Sequence, residues 1–75
     1  MQTLNEIPFS KAVKIASIDD KELAGILFPM GCLVGETIEK IQSAPMGDPI
    51  MCRVGDHFIS IRKSDAQHIL VTDKN

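Results

Sequence analysis

Apolar residues recur at every second position in two neighbouring stretches of this chain, and that alternation marks a hairpin around which the rest is arranged. Ile50, Cys52 and Val54 alternate with Met51 and Arg53, and Ile59 and Ile61 resume the period after Gly55-Asp56. A period of two belongs to a half-buried strand, and Gly-Asp between two such runs supplies a tight turn. The segment leading in, Pro45-Met46-Gly47-Asp48-Pro49, has φ fixed by a proline at each end, and neither proline can donate to a ladder. Gly47 supplies conformational freedom, and Asp48 can bond neighbouring backbone. The pattern predicts a stiff, exposed loop that feeds the hairpin.

Earlier in the chain, Val13 and Ile15 against Lys14 and Ser17 predict a first strand over Ala12–Ile18, bent near Ile18. Asp19 is expected to cap a short helix, with Glu22 three residues on completing a capping box. Leu23, Ile26, Leu27 and Met30 follow i, i+3, i+4, i+7 spacing, which predicts one apolar face, and Pro29 marks the helix end. A glycine-bounded connector follows, with positive φ expected at Gly31 or Gly35. A second strand is expected over 36–44, where Ile38 and Ile41, three apart, predict a bulge or strong coil. A helical turn over 63–67 and a fifth strand over 68–72 complete the reading, with 73–75 fraying. Leu4 and Ile7 of the lead-in are expected to pack across the bottom of the domain. Five short strands and one small helix after the first strand predict a mainly β, partly open barrel.

Composition narrows the function classes. Seventy-five residues make one domain, 1–75, and 44% apolar content suits a globular core. The formal charge is −2, with both signs scattered, and there is no Trp or Tyr. A nucleic-acid binder needs a basic footprint or stacking rings, so neither duplex nor single-strand binding is expected. The longest apolar run falls short of the roughly 18 residues needed to cross a bilayer, and the start lacks the pattern of a secretion signal. Two cysteines do not make a disulfide framework, so a cytosolic chain with free thiols is expected. Gly31 and Gly35 lack the spacing and the lysine of a phosphate loop.

The order of the pieces carries a resemblance. Leu27-Phe28-Pro29-Met30-Gly31-Cys32-Leu33-Val34-Gly35, then Ala44-Pro45-Met46-Gly47-Asp48-Pro49-Ile50, then Ile59-Ser60-Ile61-Arg62-Lys63-Ser64-Asp65-Ala66, resembles the FeoA family from the first strand to Val71. The Pro-Gly-Asp-Pro loop is its most specific part. Val34 stands where that family usually has proline, Met46 where leucine is usual, Ser10 where glycine is common, and Asp65 where glutamate is common. The resemblance implies an SH3-like barrel and a non-enzymatic role in bacterial ferrous iron uptake. It implies binding to FeoB, the membrane ferrous iron transporter, through its cytosolic G domain or its membrane region. Recruitment to the inner face of the membrane by that partner, and weak homo-oligomerisation, stay open.

Candidate chemistry is thin. Cys32, Cys52, His57 and His68 are the soft and imidazole donors, and they lack paired metal-ligand spacing. Cys52 lies at an apolar strand position and Cys32 where the family carries leucine or isoleucine, so both are read as core residues and no metal site or cofactor is assigned. A Fe²⁺ carrier or sensor using these donors, and a self-associating adaptor, are the alternatives. No nucleophile elbow or triad spacing is present, and Asp48 has a sufficient turn role. Arg53 is read as an exposed charge, and Arg62 as a partner for Asp65 or a brace for the short helical turn. The interface set is Leu33, Val34, Met46, Gly47, Asp48, Pro49, Met51 and Arg53. It joins expected exposed apolar groups, with methionines suited to adaptable contacts, to the rigid loop.

Overall fold

In a computed structural model, described over residues 1–73, six antiparallel strands form one sheet in the order β1-β6-β2-β3-β4-β5. They are β1 (Gln2–Thr3), β2 (Ala12–Ile18), β3 (Thr37–Ser43), β4 (Ile50–Val54), β5 (His57–Ile61) and β6 (Ile69–Asp73), with α1 at Lys21–Leu27 and α2 at Lys63–Ala66. The mainly β architecture expected from the alternation is present. The sixth strand, β1, is two residues of the lead-in, too short for any period to mark, and it pairs through Gln2 with Val71 and Thr3 with Leu70. Fraying expected over 73–75 falls, for Lys74 and Asn75, outside the described residues, while Asp73 ends β6.

Two bulges bend this sheet. The register between β3 and β4 shifts between Lys40 and Gln42, at the Ile41 position where the three-residue apolar spacing predicts it. The register between β2 and β6 shifts between Ile15 and Ser17. Each inserts a residue on one strand, raises the local twist and curls one face inward. That face buries Val13, Ile15, Ile38, Ile50, Cys52, Val54, Ile61, Ile69 and Val71, and Leu4, Ile7, Leu23, Leu27, Cys32 and Ala66 close over it.

The helix departs from expectation at its start. Asp20, not Asp19, is the cap: its carboxylate accepts the Leu23 N–H at 3.0 Å. Asp19 instead reaches across to β6, its carboxylate 2.8 Å from Nδ1 of His68. With the cap one residue later, Leu23 occupies the third helical position, so no capping box forms there. The apolar face divides as well. Leu23 and Leu27 are buried, whereas Ile26 and Met30 look outward. Seven helical residues give two turns, too few for all four to reach one core. A 3₁₀ turn, Phe28–Met30, follows, with Pro29 in its first turn, and Gly31 ends it at φ 83°.

Ser10 is the single non-glycine residue with positive φ among the described residues, at 67°, and its N–H donates to the Lys40 carbonyl at 2.8 Å. A side chain in the left-handed region costs about 1–2 kcal/mol, which glycine avoids. Ser10→Gly is therefore expected to stabilise the domain by about 0.5–1 kcal/mol after glycine's unfolded-state entropy is counted, seen as a rise of a few degrees in Tm. A fall in Tm on thermal unfolding would mean that the serine hydroxyl supplies more than the strain costs.

Candidate interaction surface

The interface residues read from the sequence fall into three places. Leu33 and Val34, with Ile18, Ala24, Phe28 and Cys32, line an apolar groove of about 290 Å³ beside α1. Val34 and Phe28 are 57% and 64% exposed, and their grouping in one groove makes a contiguous apolar patch of the kind that marks an interface. The connector carries them because Gly31 and Gly35, at φ 83° and 97°, turn the backbone twice within five residues. On the other flank of the helix, Ile26 and Met30 line a second groove with Leu23, Ser60, Ile61 and Arg62. Phe28, Ile26 and Phe58 belong to the exposed apolar set, although the helical spacing puts Ile26 on the apolar helix face and Phe28 and Phe58 are absent from the interface set read from the sequence. Phe58 follows from strict alternation, since it lies between His57 and the half-buried Ile59 on the face opposite Ile61's neighbours in the core.

The loop over 45–49 stands apart from that groove. Met46 is 93% exposed at its tip, and Gly47 has φ 88°. Its Gly47 N–H donates to the Ala44 carbonyl at 2.7 Å. The Asp48–Pro49 bond is cis. Asp48 has a turn role and more: its carboxylate accepts the Lys63 N–H at 3.0 Å, tying the loop to the start of α2. Gly47 lines a cleft with Asn5, Phe9, Lys40, Ile50 and Lys63, none of them part of the Leu33 and Val34 groove.

Met51 and Arg53 complete the set on β4. Met51, expected to be exposed, is half-buried, facing Gln42 on β3 and Ser60 on β5. Arg53 is exposed and bonds Glu39 at 2.7 Å on the outer face of the sheet. Such a pair contributes at most about 1 kcal/mol in water. Arg62 holds Asp65 at 3.0 Å, as the spacing predicted.

The metal-donor candidates are separated by environment. Cys32 and Cys52 are fully buried and free, with burial pushing the Cys32 thiol up to about 11 and the Cys52 thiol up to about 12. Thiolates, not thiols, bind metal ions. His57 is exposed beside Gly31, and His68 is held by Asp19. Among the described residues no three His, Cys, Asp or Glu side chains gather into a group that could hold a metal ion. No helix among them is long and apolar enough to cross a membrane.

A curled six-stranded antiparallel sheet, plugged by a two-turn helix and presenting apolar grooves, defines a small mainly β domain of the SH3-like kind. The FeoA domain model matches residues 2–73, and the chain belongs to that family. It is similar to iron(II) transport protein A of Clostridium thermocellum, with a TM-score of 0.86 and 36% identity over 96% of this chain and 45% of that one. It is also similar to the zinc-complexed FeoA of Stenotrophomonas maltophilia, described as an SH3 domain protein, with a TM-score of 0.81 and 26% identity over 96% of this chain and 91% of that one. A fusion of Fe(2+) transport protein A with the Fe(2+) transporter FeoB in Porphyromonas gingivalis is 40% identical over 45 residues, 60% of this chain. The chain spans 5% of that fusion protein's length and 45% of the Clostridium thermocellum protein's. The family is thereby associated with ferrous iron transport.

Proposed function

We propose that this protein is a non-enzymatic, cytoplasmic accessory of ferrous iron uptake that docks on the cytosolic region of a FeoB-type transporter and modulates it. The observation that carries this reading is the fusion in Porphyromonas gingivalis, where a related segment and the transporter share one chain. Covalent linkage raises the local concentration of two modules, which is useful when they bind each other. Docking regulates only if one transporter state is bound more tightly than another, since equal affinity for both shifts nothing.

The groove of Phe28, Leu33 and Val34 is the apolar surface best suited to such a contact, with Met46 offering a second, flexible one. Val34→Glu is expected to weaken binding at least tenfold, about 1.4 kcal/mol, while leaving Tm nearly unchanged because the side chain is 57% exposed. The check is an NMR titration of the labelled protein with the transporter in nanodiscs, with GDP and with a GTP analogue. Resonances of Phe28, Leu33 and Val34 should broaden in wild type and not in the variant. If broadening instead centres on Met46, Gly47 and Asp48, the loop docks. If nothing changes, direct docking is wrong.

A Fe²⁺ carrier is the second reading, favoured by the zinc complex of the Stenotrophomonas maltophilia relative. Fe²⁺ added alone should then broaden resonances at Cys32, Cys52, His57 or His68.

A further inference from the structure

Lys40 is the charged residue that the sheet buries. It is 5% exposed, on the core side of β3 two residues after Ile38, and it is the buried polar or charged side chain among the described residues. An ammonium out of water is costly unless its charge and its three N–H groups are answered. Here the answer is partial. Lys40 Nζ donates to the Asn5 carbonyl at a long 3.3 Å and lies 4.8 Å from the centre of the Phe9 ring, a cation–π contact. No carboxylate pairs with it among the described residues.

The same cleft holds a second lysine. Lys63 Nζ reaches over the 45–49 loop, 3.5 Å from where a β-carbon on Gly47 would stand. Lys63 also takes part in no ion pair among the described residues. The nearby Asp48 carboxylate accepts the Lys63 backbone N–H and does not line the cleft. Burial lowers the pKa of Lys40, and the Lys63 charge lowers it further, against an opposing contribution from Cys52. Two cations thus share a cleft of about 380 Å³ whose lining contains no acid. Phe9 and Ile50 give it apolar walls, and its volume falls within the range of about 300–1,000 Å³ typical of small-molecule sites.

We propose that the cleft between Phe9, Lys40, Gly47 and Lys63 binds a phosphate group, as inorganic phosphate or as the phosphate of a small organic ester. Two ammoniums match the charge of about −2 that a phosphate monoester approaches at neutral pH, where a carboxylate would leave one cation unanswered. Lysine is a point-charge donor suited to phosphate oxygens, and Gly47 lets an anion approach the loop backbone without meeting a side chain. The Phe9 ring, which lines the cleft, is the aromatic group available to an ester's organic part. This inference is independent of the transporter-docking reading.

The test titrates labelled protein at pH 7.5 with sodium phosphate, with phenyl phosphate, and with sodium chloride at matched ionic strength. Saturable shifts at Phe9, Lys40, Gly47 and Lys63 with phosphate, absent with chloride, are expected. Lys63→Gln, a substitution at an exposed position, should weaken phosphate binding by about fivefold or more. Phenyl phosphate binding more tightly than phosphate assigns an organic ester, and equal binding assigns the free anion. Either supports the site. Shifts that fail to saturate, that chloride reproduces, or that Lys63→Gln leaves unaltered overturn it. Lys40→Met serves as a second variant: with folding verified by its spectrum, retained phosphate binding would also overturn the assignment.

Discussion

Replacing Ile38 with alanine is expected to lower the unfolding free energy by about 3 kcal/mol, within the range of roughly 2–5 kcal/mol for buried isoleucine to alanine. The side chain is fully buried in a central strand, and its backbone partners are Val13 on β2 and Val54 on β4, each also buried. Strands on both sides fix the backbone, so the neighbours cannot collapse into the space left by the deleted carbons. A chain of 75 residues has roughly 4–11 kcal/mol in total at typical stabilities per residue. The variant should therefore lose between a quarter and most of its stability. Urea unfolding checks this: the midpoint should drop while the m-value holds. Met46→Ala, at 93% exposure, should shift stability by less than about 0.5 kcal/mol. A loss below about 1 kcal/mol at Ile38 would mean that the curled face is not packed there.

The sheet was legible where its alternation was long enough to be counted. Ile50, Cys52 and Val54, and then Ile59 and Ile61 across Gly55-Asp56, place β4 and β5 and their turn, and the pairing of Cys52 with Ile59 follows. The bulge in β3 was legible too, because Ile38 and Ile41 cannot share a face of a regular strand. The two-residue β1 was not, since its pairing with β6 depends on a contact nearly seventy residues away and not on local pattern. The helix face misled for a related reason. Spacing i, i+3, i+4, i+7 describes the cylinder, but only a core large enough to surround it buries every such residue, and Ile26 stays 59% exposed. Lys40 carried a signal that went unused: two residues after Ile38, it falls on the core side, where lysine is rare without a partner. Ser10 shows the reverse. A serine where the family commonly has glycine marks the strained backbone at φ 67°. Exposure and loop chemistry mark the interface residues one at a time, and no linear pattern says that Leu33 and Val34 line one cleft and Gly47 another.

Raising the pH from 8 to 11 is expected to remove on the order of 5 kcal/mol of stability through two thiols alone. Cys32 follows Gly31 after α1, its N–H donating to the Leu27 carbonyl at 3.2 Å, and Cys52 lies on β4 between Lys40 and Ile59. Both are fully buried. Burial raises the Cys32 thiol from 9.0 to about 11, with Glu36 adding to the rise. It raises the Cys52 thiol to about 12, with Cys32 adding and Lys40 offsetting part. The unfolded chain releases these protons near pH 9, while the folded one holds them, so the stability they carry is intact below pH 9. It is lost as pH climbs from 9 towards 11 and 12. Other groups titrate in the same window, so the measurement is a difference. Chemical unfolding of wild type and of the Cys32→Ala, Cys52→Ala double variant is followed at each pH. The variant starts lower at pH 8, because it has two small cavities, and the gap should close or reverse by pH 11. Curves that stay parallel would show that the thiols ionise as freely in the fold as outside it. The same property bears on metal ions. Thiols that hold their protons at neutral pH should resist a thiol reagent until urea is added, and they are then poor ligands for Fe²⁺. Rapid modification of the native protein at pH 7.5 would restore the two cysteines as candidate donors and move the balance towards the carrier reading.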